Sequence, residues 1–242
     1  MNANLQRNVI ILFVCVIIIY FWYDNKPSKI KTNGLAYNLE YLEKTLNSNG
    51  RNDELPMLIM LHGAGDTTEN FLSWYEDFKI PVRLIVFQGP FDFGRGYTWS
   101  GTDGTKDTVN VAKSIHASID ELTEKYPTKG KPVVFGFSRG AILAYYMSVS
   151  SSRYSYVVPV SGYLDAQLAP EEPDPYTEYP EVIAFHGTAD QVISINRDRR
   201  SIKLLQGLNY KASLNEYSSN HLPNETMQHA IKEQISTLLS NL

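Results

Sequence analysis

The sequence is poor in cysteine, because Cys15 is the only cysteine among its 242 residues. It lies in an apolar N-terminal segment, so the rest of the chain can form neither a disulfide nor a cysteine-based metal site. The histidines and acidic residues do not show the spacing of metal ligands, and no glycine-rich phosphate-binding motif is present. The sequence therefore predicts no metal and no cofactor, and it leaves the redox compartment open.

A basic surface of the kind that binds nucleic acid is also missing. The formal net charge of the chain is −4, and because the first 34 residues contribute +3, residues 35–242 carry −7. An acidic portion of this size argues against nucleic acid as a partner. The hydrophobic fraction of 43% is that of an ordinary globular protein with a sizeable core. The sequence does not indicate an oligomeric state.

Long apolar runs are scarce, and the longest lies near the N-terminus. Residues 9–23 are an unbroken run of 15 apolar or aromatic residues. As a helix the run spans roughly 22 Å, which is shorter than the ~30 Å hydrocarbon core and lies between a signal peptide and a short membrane helix. Because aromatic residues end the run and no small-residue cleavage site comes after it, we expect an uncleaved membrane anchor. This predicts an anchor and linker in residues 1–34 and a folded domain in residues 35–242.

The charges beside residues 9–23 are ambiguous about orientation. One arginine precedes the run and three lysines come after it, which by the positive-inside rule would place the domain in the cytoplasm. A short head with a single arginine is also common in anchors that export the domain attached to them. We therefore expect a single-pass protein with an extracytoplasmic domain, periplasmic in a bacterium, with a cleaved secreted form as the alternative.

From residue 35 onward, apolar runs alternate with amphipathic stretches. The predicted strands occupy residues 35–42, 57–61, 82–87, 133–135, 156–160, 182–185 and 210–217. The predicted helices occupy residues 69–78, 106–126, 141–147, 196–205 and 225–239. This alternation predicts an α/β fold with a mostly parallel sheet covered by helices on both faces. In such a sheet, reactive side chains collect at the carboxyl ends of the strands.

One predicted strand end carries a nucleophile motif. Residues 136–140 read Gly-Phe-Ser-Arg-Gly between an apolar run and a helix-forming run, which is the strand–turn–helix context of a nucleophile elbow. The hydroxyl of Ser138 would stand at the N-terminus of a helix, whose dipole favours developing negative charge. A Gly-x-Ser-x-Gly pattern alone also occurs by chance. In this chain, however, polar motifs at residues 62–66, 190 and 221 also lie directly after predicted strands. Their coincidence makes Ser138 the predicted nucleophile.

A serine nucleophile needs a base, and five histidines are available. His221 lies in a polar loop after the last predicted strand, and we expect it to be the base. His62 and His186 each precede a glycine at a strand end, where a structural role is expected. His116 and His229 lie in amphipathic helices and are expected to face solvent.

The base needs an orienting carboxylate, for which two residues compete. Asp190 follows a predicted strand and lies between Ser138 and His221, which gives the order Ser, Asp, His. Asp165 follows the preceding strand and is the alternative. We favour Asp190, which would hold the tautomer of His221 and stabilise its imidazolium.

The remaining requirements are an oxyanion hole and a substrate pocket. We expect the oxyanion to be bound by the backbone N–H groups of Ala64, in a glycine-rich turn, and of Arg139, directly after the nucleophile. An aromatic-rich segment supplies side chains that could line an acyl pocket or belong to the core. These are Phe91, Phe93, Tyr97 and Trp99.

Together, these motifs resemble a known family. Residues 61–66, residues 136–140, the pattern His186-Gly187-x-x-Asp190 and the late His221 are similar to those of the phospholipase/carboxylesterase family of α/β-hydrolases, which includes acyl-protein thioesterases. The resemblance covers about residues 55–240 and implies the α/β-hydrolase fold. It also implies a serine hydrolase that cleaves esters or thioesters through an acyl-enzyme.

The chain departs from this family in three places. Arg139 stands where members usually have glutamine, which keeps the backbone donor and adds a cation at the rim of the pocket. Trp99 is similar to the tryptophan of the family, but residues 99–106 look shorter than in the thioesterases, which argues against their long-acyl substrates. Nothing in the family resembles residues 9–23.

The leading interpretation is thus a membrane-tethered serine carboxylesterase or thioesterase with a small-molecule or acyl ester as substrate. Two alternatives stay open at this point. The same triad could serve a peptidase or a polyester depolymerase. A catalytically silent hydrolase fold used for binding is the other alternative, against which the three intact candidate residues argue.

Overall fold

The computed structural model describes residues 28–30, 35–50 and 53–242. Within these residues, the strands are β1 (Ser28–Ile30), β2 (Leu39–Leu46), β3 (Met57–Leu61), β4 (Val82–Phe87), β5 (Phe91–Phe93), β6 (Gly96–Thr98), β7 (Val133–Phe137), β8 (Tyr156–Val160), β9 (Glu181–Gly187) and β10 (Ala212–Tyr217). The helices are α1 (Thr68–Ser73), α2 (Thr105–Lys125), α3 (Arg139–Ser150), α4 (Ile195–Gly207) and α5 (Glu225–Ser240).

An eight-stranded sheet in the order β1-β2-β4-β3-β7-β8-β9-β10 forms the centre of this part of the chain. The six strands from β4 to β10 in that order are parallel, and β2 and β1 continue the sheet antiparallel at one edge. The predicted mostly parallel sheet is confirmed. Because the parallel strands point the same way, β3, β7, β8 and β9 end side by side, and their ends form the edge that carries the site.

Apolar residues fill both faces of the sheet. Every residue of β3 is fully buried, and alternate residues of this strand point to opposite faces. Met57, Ile59 and Leu61 join the core under α2 and α3, whereas Leu58 and Met60 join the core under α1 and α5. This explains why the central strands read as continuous apolar runs instead of alternating ones.

Several elements differ from their sequence-based predictions. Ser28–Ile30, in the predicted linker, pairs with β2 as strand β1. Strand β2 begins and ends four residues later than predicted, at Leu39–Leu46, and pairs with β4 through Leu46↔Val82. The strand continues past its apolar pattern because Glu43 reaches the buried Arg83 of β4, with Oε1 and Nε 3.4 Å apart. Helix α1 ends at Ser73 instead of residue 78. The aromatic segment after β4 contains the β5–β6 hairpin.

The expected anchor in residues 9–23 lies outside the described residues. Among the helices of residues 28–30, 35–50 and 53–242, none has the combined length and apolar character needed to cross a membrane.

Candidate active site

Ser138 lies in a strained turn between β7 and α3. Its backbone has φ +53° and ψ −113°, a region that residues with a side chain rarely adopt. The turn is possible because its flanks are glycines: a Cβ at Gly136 would overlap the carbonyl of Gly140, and one at Gly140 would overlap the carbonyl of Leu61. The sequence Gly-Phe-Ser-Arg-Gly therefore forms the tight elbow that the motif predicted.

The structure brings Ser138, His221 and Asp190 into one hydrogen-bonded chain. The Ser138 hydroxyl lies 2.9 Å from His221 Nε2, and His221 Nδ1 lies 2.8 Å from Asp190 Oδ2. Since the carboxylate can only accept, Nδ1 carries the proton and Nε2 is free to accept from the serine. The three residues come from the ends of β7, β9 and β10, which meet at the same edge of the sheet.

Asp190 is held by its own loop as well as by His221. The backbone N–H groups of Val192 and Ile193 donate to Oδ1 at 2.8 and 2.9 Å. Burial alone would raise the pKa of Asp190, but the hydrogen bonds from His221, Ile193 and Val192 outweigh it and hold that pKa below its ordinary value. Asp190 is therefore ionised at neutral pH. The competing Asp165 instead caps a short 3₁₀ helix by accepting from the Gln167 N–H at 3.0 Å.

The two predicted oxyanion donors lie beside the serine. Ala64 lines the same cleft as Ser138, in the turn after β3. Arg139 is the first residue of α3, so its N–H has no acceptor within the helix and is available to a ligand. The Arg139 side chain is exposed and its Nη1 lies 3.5 Å from Ser100 Oγ.

An open cleft of about 540 Å³ leads to the serine. Apolar side chains form much of its wall, and two of them are strongly exposed: Val192 at 72% and Leu222 at 56%. The lining residues are Gly63, Ala64, Phe137, Ser138, Val192, Asn220, His221 and Leu222. Sequence patterns did not indicate Val192 and Leu222, since single apolar residues in polar loops are common and carry no distinct signal.

Three aromatic residues predicted for the pocket, Trp99, Phe91 and Tyr97, are not among those that line this cleft. Trp99 is buried at 2% exposure, and its Nε1 donates to the carbonyl of His62 at 2.7 Å. Phe91 packs edge-to-face on Tyr37 with ring centroids 5.2 Å apart. Tyr97 uses its backbone to accept from the Gly65 N–H at 2.8 Å. Two of these residues, Trp99 and Tyr97, support the turn that carries Ala64.

His62 also supports that turn. Its ring is fully buried; Nδ1 donates to the Gly63 carbonyl at 2.7 Å, and Nε2 accepts from the Gly89 N–H at 3.0 Å. Burial lowers the pKa of His62, which agrees with a ring nitrogen that accepts a hydrogen bond. His62 is thus neutral and connects the turn after β3 to the residues after β4.

His186 is fully buried as well, but it contacts the candidate triad directly. Its Nε2 lies 2.9 Å from the Ile193 carbonyl and 3.1 Å from Asp190 Oδ2, and its Nδ1 lies 2.7 Å from Asp198 Oδ2. The Tyr145 hydroxyl donates to the other oxygen of Asp198. Burial lowers the pKa of His186, but Asp198, Ile193 and Asp190 outweigh that effect and raise it.

The two helical histidines differ from each other. His229 is exposed, with its Nε2 3.2 Å from Glu233. His116, which was expected to face solvent, is half-buried against Tyr154 with ring centroids 5.9 Å apart. Burial, together with the nearby Arg153, lowers the pKa of His116 to about 4, because α2 turns that position toward the core instead of the solvent.

The sequence matches the family model described as Phospholipase/Carboxylesterase over residues 96–239, more than half of the chain. The chain belongs to the phospholipase/carboxylesterase family. It is accordingly a hydrolase of the carboxylesterase and thioesterase type with the α/β-hydrolase fold, as its motifs predicted. Comparison with curated proteins found no match.

Solved structures share the fold of this phospholipase/carboxylesterase family member at low sequence identity. Esterase PE8 is 18% identical over 78% of this chain and 95% of its own, with a TM-score of 0.67. Acyl-protein thioesterase 2 of Zea mays is 18% identical over 81% of this chain and 98% of its own, with a TM-score of 0.66. The Bacillus cereus carboxylesterase is 16% identical over 82% and 94%, with a TM-score of 0.65.

Within the described residues of this family member, no group of three or more His, Cys, Asp or Glu side chains could hold a metal ion. The groups that line the cleft offer a hydroxyl, an imidazole and amide donors, and the Asp190 carboxylate lies behind the imidazole. An imidazole that accepts from a serine and donates to a carboxylate can take the serine proton when an electrophile approaches.

Proposed function

We propose that the protein is a serine hydrolase that cleaves carboxylic esters or thioesters through an acyl-enzyme on Ser138. The observation that carries the proposal is the unbroken chain from the Ser138 hydroxyl to His221 at 2.9 Å and on to Asp190 at 2.8 Å. Ser138 lies in the strained elbow at the N-terminus of α3, where a nucleophile faces the cleft.

In the acylation step, the Ser138 oxygen attacks the carbonyl carbon of the ester. His221 Nε2 takes the hydroxyl proton as the bond forms, and the ionised Asp190 stabilises the imidazolium without taking its proton. The carbonyl oxygen becomes an oxyanion, for which the N–H groups of Ala64 and Arg139 are the donors. His221 then gives its proton to the leaving alcohol or thiol as the tetrahedral intermediate collapses.

In the deacylation step, water takes the place of the leaving group. His221 accepts a proton from the water, whose oxygen attacks the acyl-enzyme carbonyl, and the same two amides bind the second oxyanion. Collapse returns the proton to the Ser138 oxygen and releases the carboxylic acid. Each step uses His221 once as base and once as acid.

The shape of the cleft favours short or medium acyl groups. Val192, Leu222 and Phe137 provide an apolar wall, and the cleft is open and shallow enough to leave Val192 and Leu222 strongly exposed. Burial of each methylene against this wall contributes about 0.8 kcal/mol until the wall ends.

The test is hydrolysis of a nitrophenyl ester series of increasing acyl length, extended to a thioester and an anilide of the preferred acid. We expect wild-type turnover to be highest for short acyl groups and to fall by at least about 10³-fold in Ser138→Ala. Ser100→Ala is the control, since it removes a neighbouring hydroxyl outside the chain of hydrogen bonds. Folded wild-type protein that cleaves no ester and no thioester would contradict the proposal.

A further inference from the structure

Asp190 accepts three hydrogen bonds, and a fourth nitrogen lies close to one of its oxygens. Oδ1 accepts from the Val192 and Ile193 amides at 2.8 and 2.9 Å. Oδ2 lies 2.8 Å from His221 Nδ1 and 3.1 Å from His186 Nε2. The oxygen that faces the base thus has a second nitrogen beside it, on a residue that the acylation mechanism does not use.

His186 must carry a proton on the nitrogen that faces Asp190. The Ile193 carbonyl, 2.9 Å from Nε2, can only accept a hydrogen bond. Nδ1 faces Asp198 at 2.7 Å, where one proton is shared by the imidazole and the carboxylate. Asp198 raises the pKa of His186, whereas burial raises the pKa of Asp198. We place the shared proton on the ring, which then presents positive charge to Asp190.

Few other charges surround this pair. The titratable and charged groups that face His186 are Asp190 on its own loop, Asp198 on α4, Tyr145 on α3 through Asp198, and Glu216 on the neighbouring β10. Glu216 is partly exposed, and its carboxylate pairs with Arg199 at 2.6 Å. Asp198 is fully buried, and the groups that contact its carboxylate are His186 and the Tyr145 hydroxyl.

We propose that His186, held by Asp198 and Tyr145, is a positioning residue that fixes Asp190 and lowers the pH at which His221 becomes protonated. The inference rests on the proposed catalytic roles of Ser138, His221 and Asp190. The His186 ring, with Nε2 3.1 Å from Oδ2, acts on Asp190 electrostatically, and a positive charge on that ring disfavours a second imidazolium nearby.

When Asp198 is neutralised, the weaker action of His186 on Asp190 and the loss of its positive charge both make protonation of His221 easier. In Asp198→Asn, the buried His186 loses the carboxylate that keeps it charged, so the positive end beside Asp190 disappears. The negative charge removed at the same time lies on the far side of His186 and acts on His221 over a longer distance. Asp190 then binds the Nδ1–H of His221 more strongly, and protonation of His221 becomes easier.

The experiment is an NMR titration of selectively labelled histidine in full-length wild-type protein and three variants. We expect the titration midpoint of His221 to rise by about 0.5–1 pH unit in Asp198→Asn. In Tyr145→Phe, which removes only the donor to Asp198, we expect a smaller rise. In Ser201→Ala we expect none, because that buried hydroxyl of α4 bonds the Leu164 N–H and the Arg197 carbonyl instead.

The acid limb of the kcat/KM profile for an ester should move by the same amount and in the same order. A merely structural role would lower kcat without moving either midpoint. An unchanged or lower His221 midpoint in folded Asp198→Asn overturns the inference; if that variant does not fold, Tyr145→Phe decides in the same way. If the variants show the expected midpoint changes but the wild-type protein hydrolyses no ester, the proposed function alone is contradicted.

Discussion

His62 and His186 occupy equivalent places in the sequence, yet they have opposite electrostatic roles. Each lies at the carboxyl end of a parallel strand, each precedes a glycine, and both are fully buried. His62 is surrounded by backbone groups and Gln88, and burial lowers its pKa. His186 lies between two carboxylates, which raise its pKa against the effect of burial.

The difference shows that the groups in contact with a buried histidine, and not its burial alone, decide the direction in which its pKa shifts. The two rings stabilise the same edge of the sheet, one by holding the turn of Ala64 and the other by holding Asp190. Only the second lies beside the candidate triad, with its Nε2 3.1 Å from Asp190 Oδ2. Substitutions at the two histidines and at the glycines beside them test this contrast.

The largest effect is expected from His186→Leu. The variant leaves the fully buried Asp198 without its counter-charge, and we expect the free energy of unfolding at pH 7 to fall by about 3–5 kcal/mol. The loss should shrink as the pH falls, since Asp198 can then take up a proton. Urea unfolding at several pH values measures it.

The matched control is the double variant His186→Leu with Asp198→Leu. Removing the orphaned carboxylate should restore part of the lost stability, so the two substitutions should be strongly non-additive. Additive losses would show that the ion pair is not what makes His186 necessary.

The glycines after the two histidines should also respond differently. A Cβ at Gly187 would overlap the carbonyls of Ser219 and Asn220, which are backbone atoms next to His221. A Cβ at Gly63 would meet the Phe137 ring at 3.0 Å and the Ser138 Cβ at an ordinary contact distance of 3.6 Å. We expect Gly187→Ala to cost about 3 kcal/mol of stability and Gly63→Ala about 1 kcal/mol, as measured by urea unfolding; equal losses would contradict this contrast.

The smallest effect among the histidine variants is expected from His62→Gln, about 2 kcal/mol at pH 8, because the Gly89 N–H loses its acceptor. The folded-state pKa of His62 lies below its ordinary value of 6.5. Its contribution is therefore fully present above pH 6.5 and is lost as the pH falls through the folded-state pKa. The difference from wild type should shrink between pH 8 and pH 5; a difference that grows on acidification would show that His62 is charged in the folded protein.

Sequence patterns predicted the sheet and the elbow because both depend on local features. Buried parallel strands need continuous apolar runs, and β3, β4 and β8 lie at the predicted residues. The elbow needs glycines at Gly136 and Gly140, whose places no side chain could take. Ser138, His221 and Asp190 were singled out because each comes after a strand of the same sheet.

The parts that escaped prediction depend on contacts between distant residues. Asp198 lies in an Asn-Arg-Asp-Arg-Arg stretch that reads as a solvated helix face, and only the packing of α4 turns it toward His186. Strand β2 extends past its apolar pattern, where Glu43 forms an ion pair with Arg83 on the neighbouring strand β4. Val192 and Leu222 gain their place at the cleft from the loops that carry Asp190 and His221.

Covalent labelling by a fluorophosphonate, with peptide mass mapping of the product, tests the assignment of Ser138 as the nucleophile most directly. We expect one added phosphonyl group on wild-type protein, located on Ser138, and none on Ser138→Ala. Ser100→Ala should be labelled like wild type. Folded wild-type protein that stays unlabelled, or a label that maps to another residue, would contradict the assignment of Ser138 as the nucleophile.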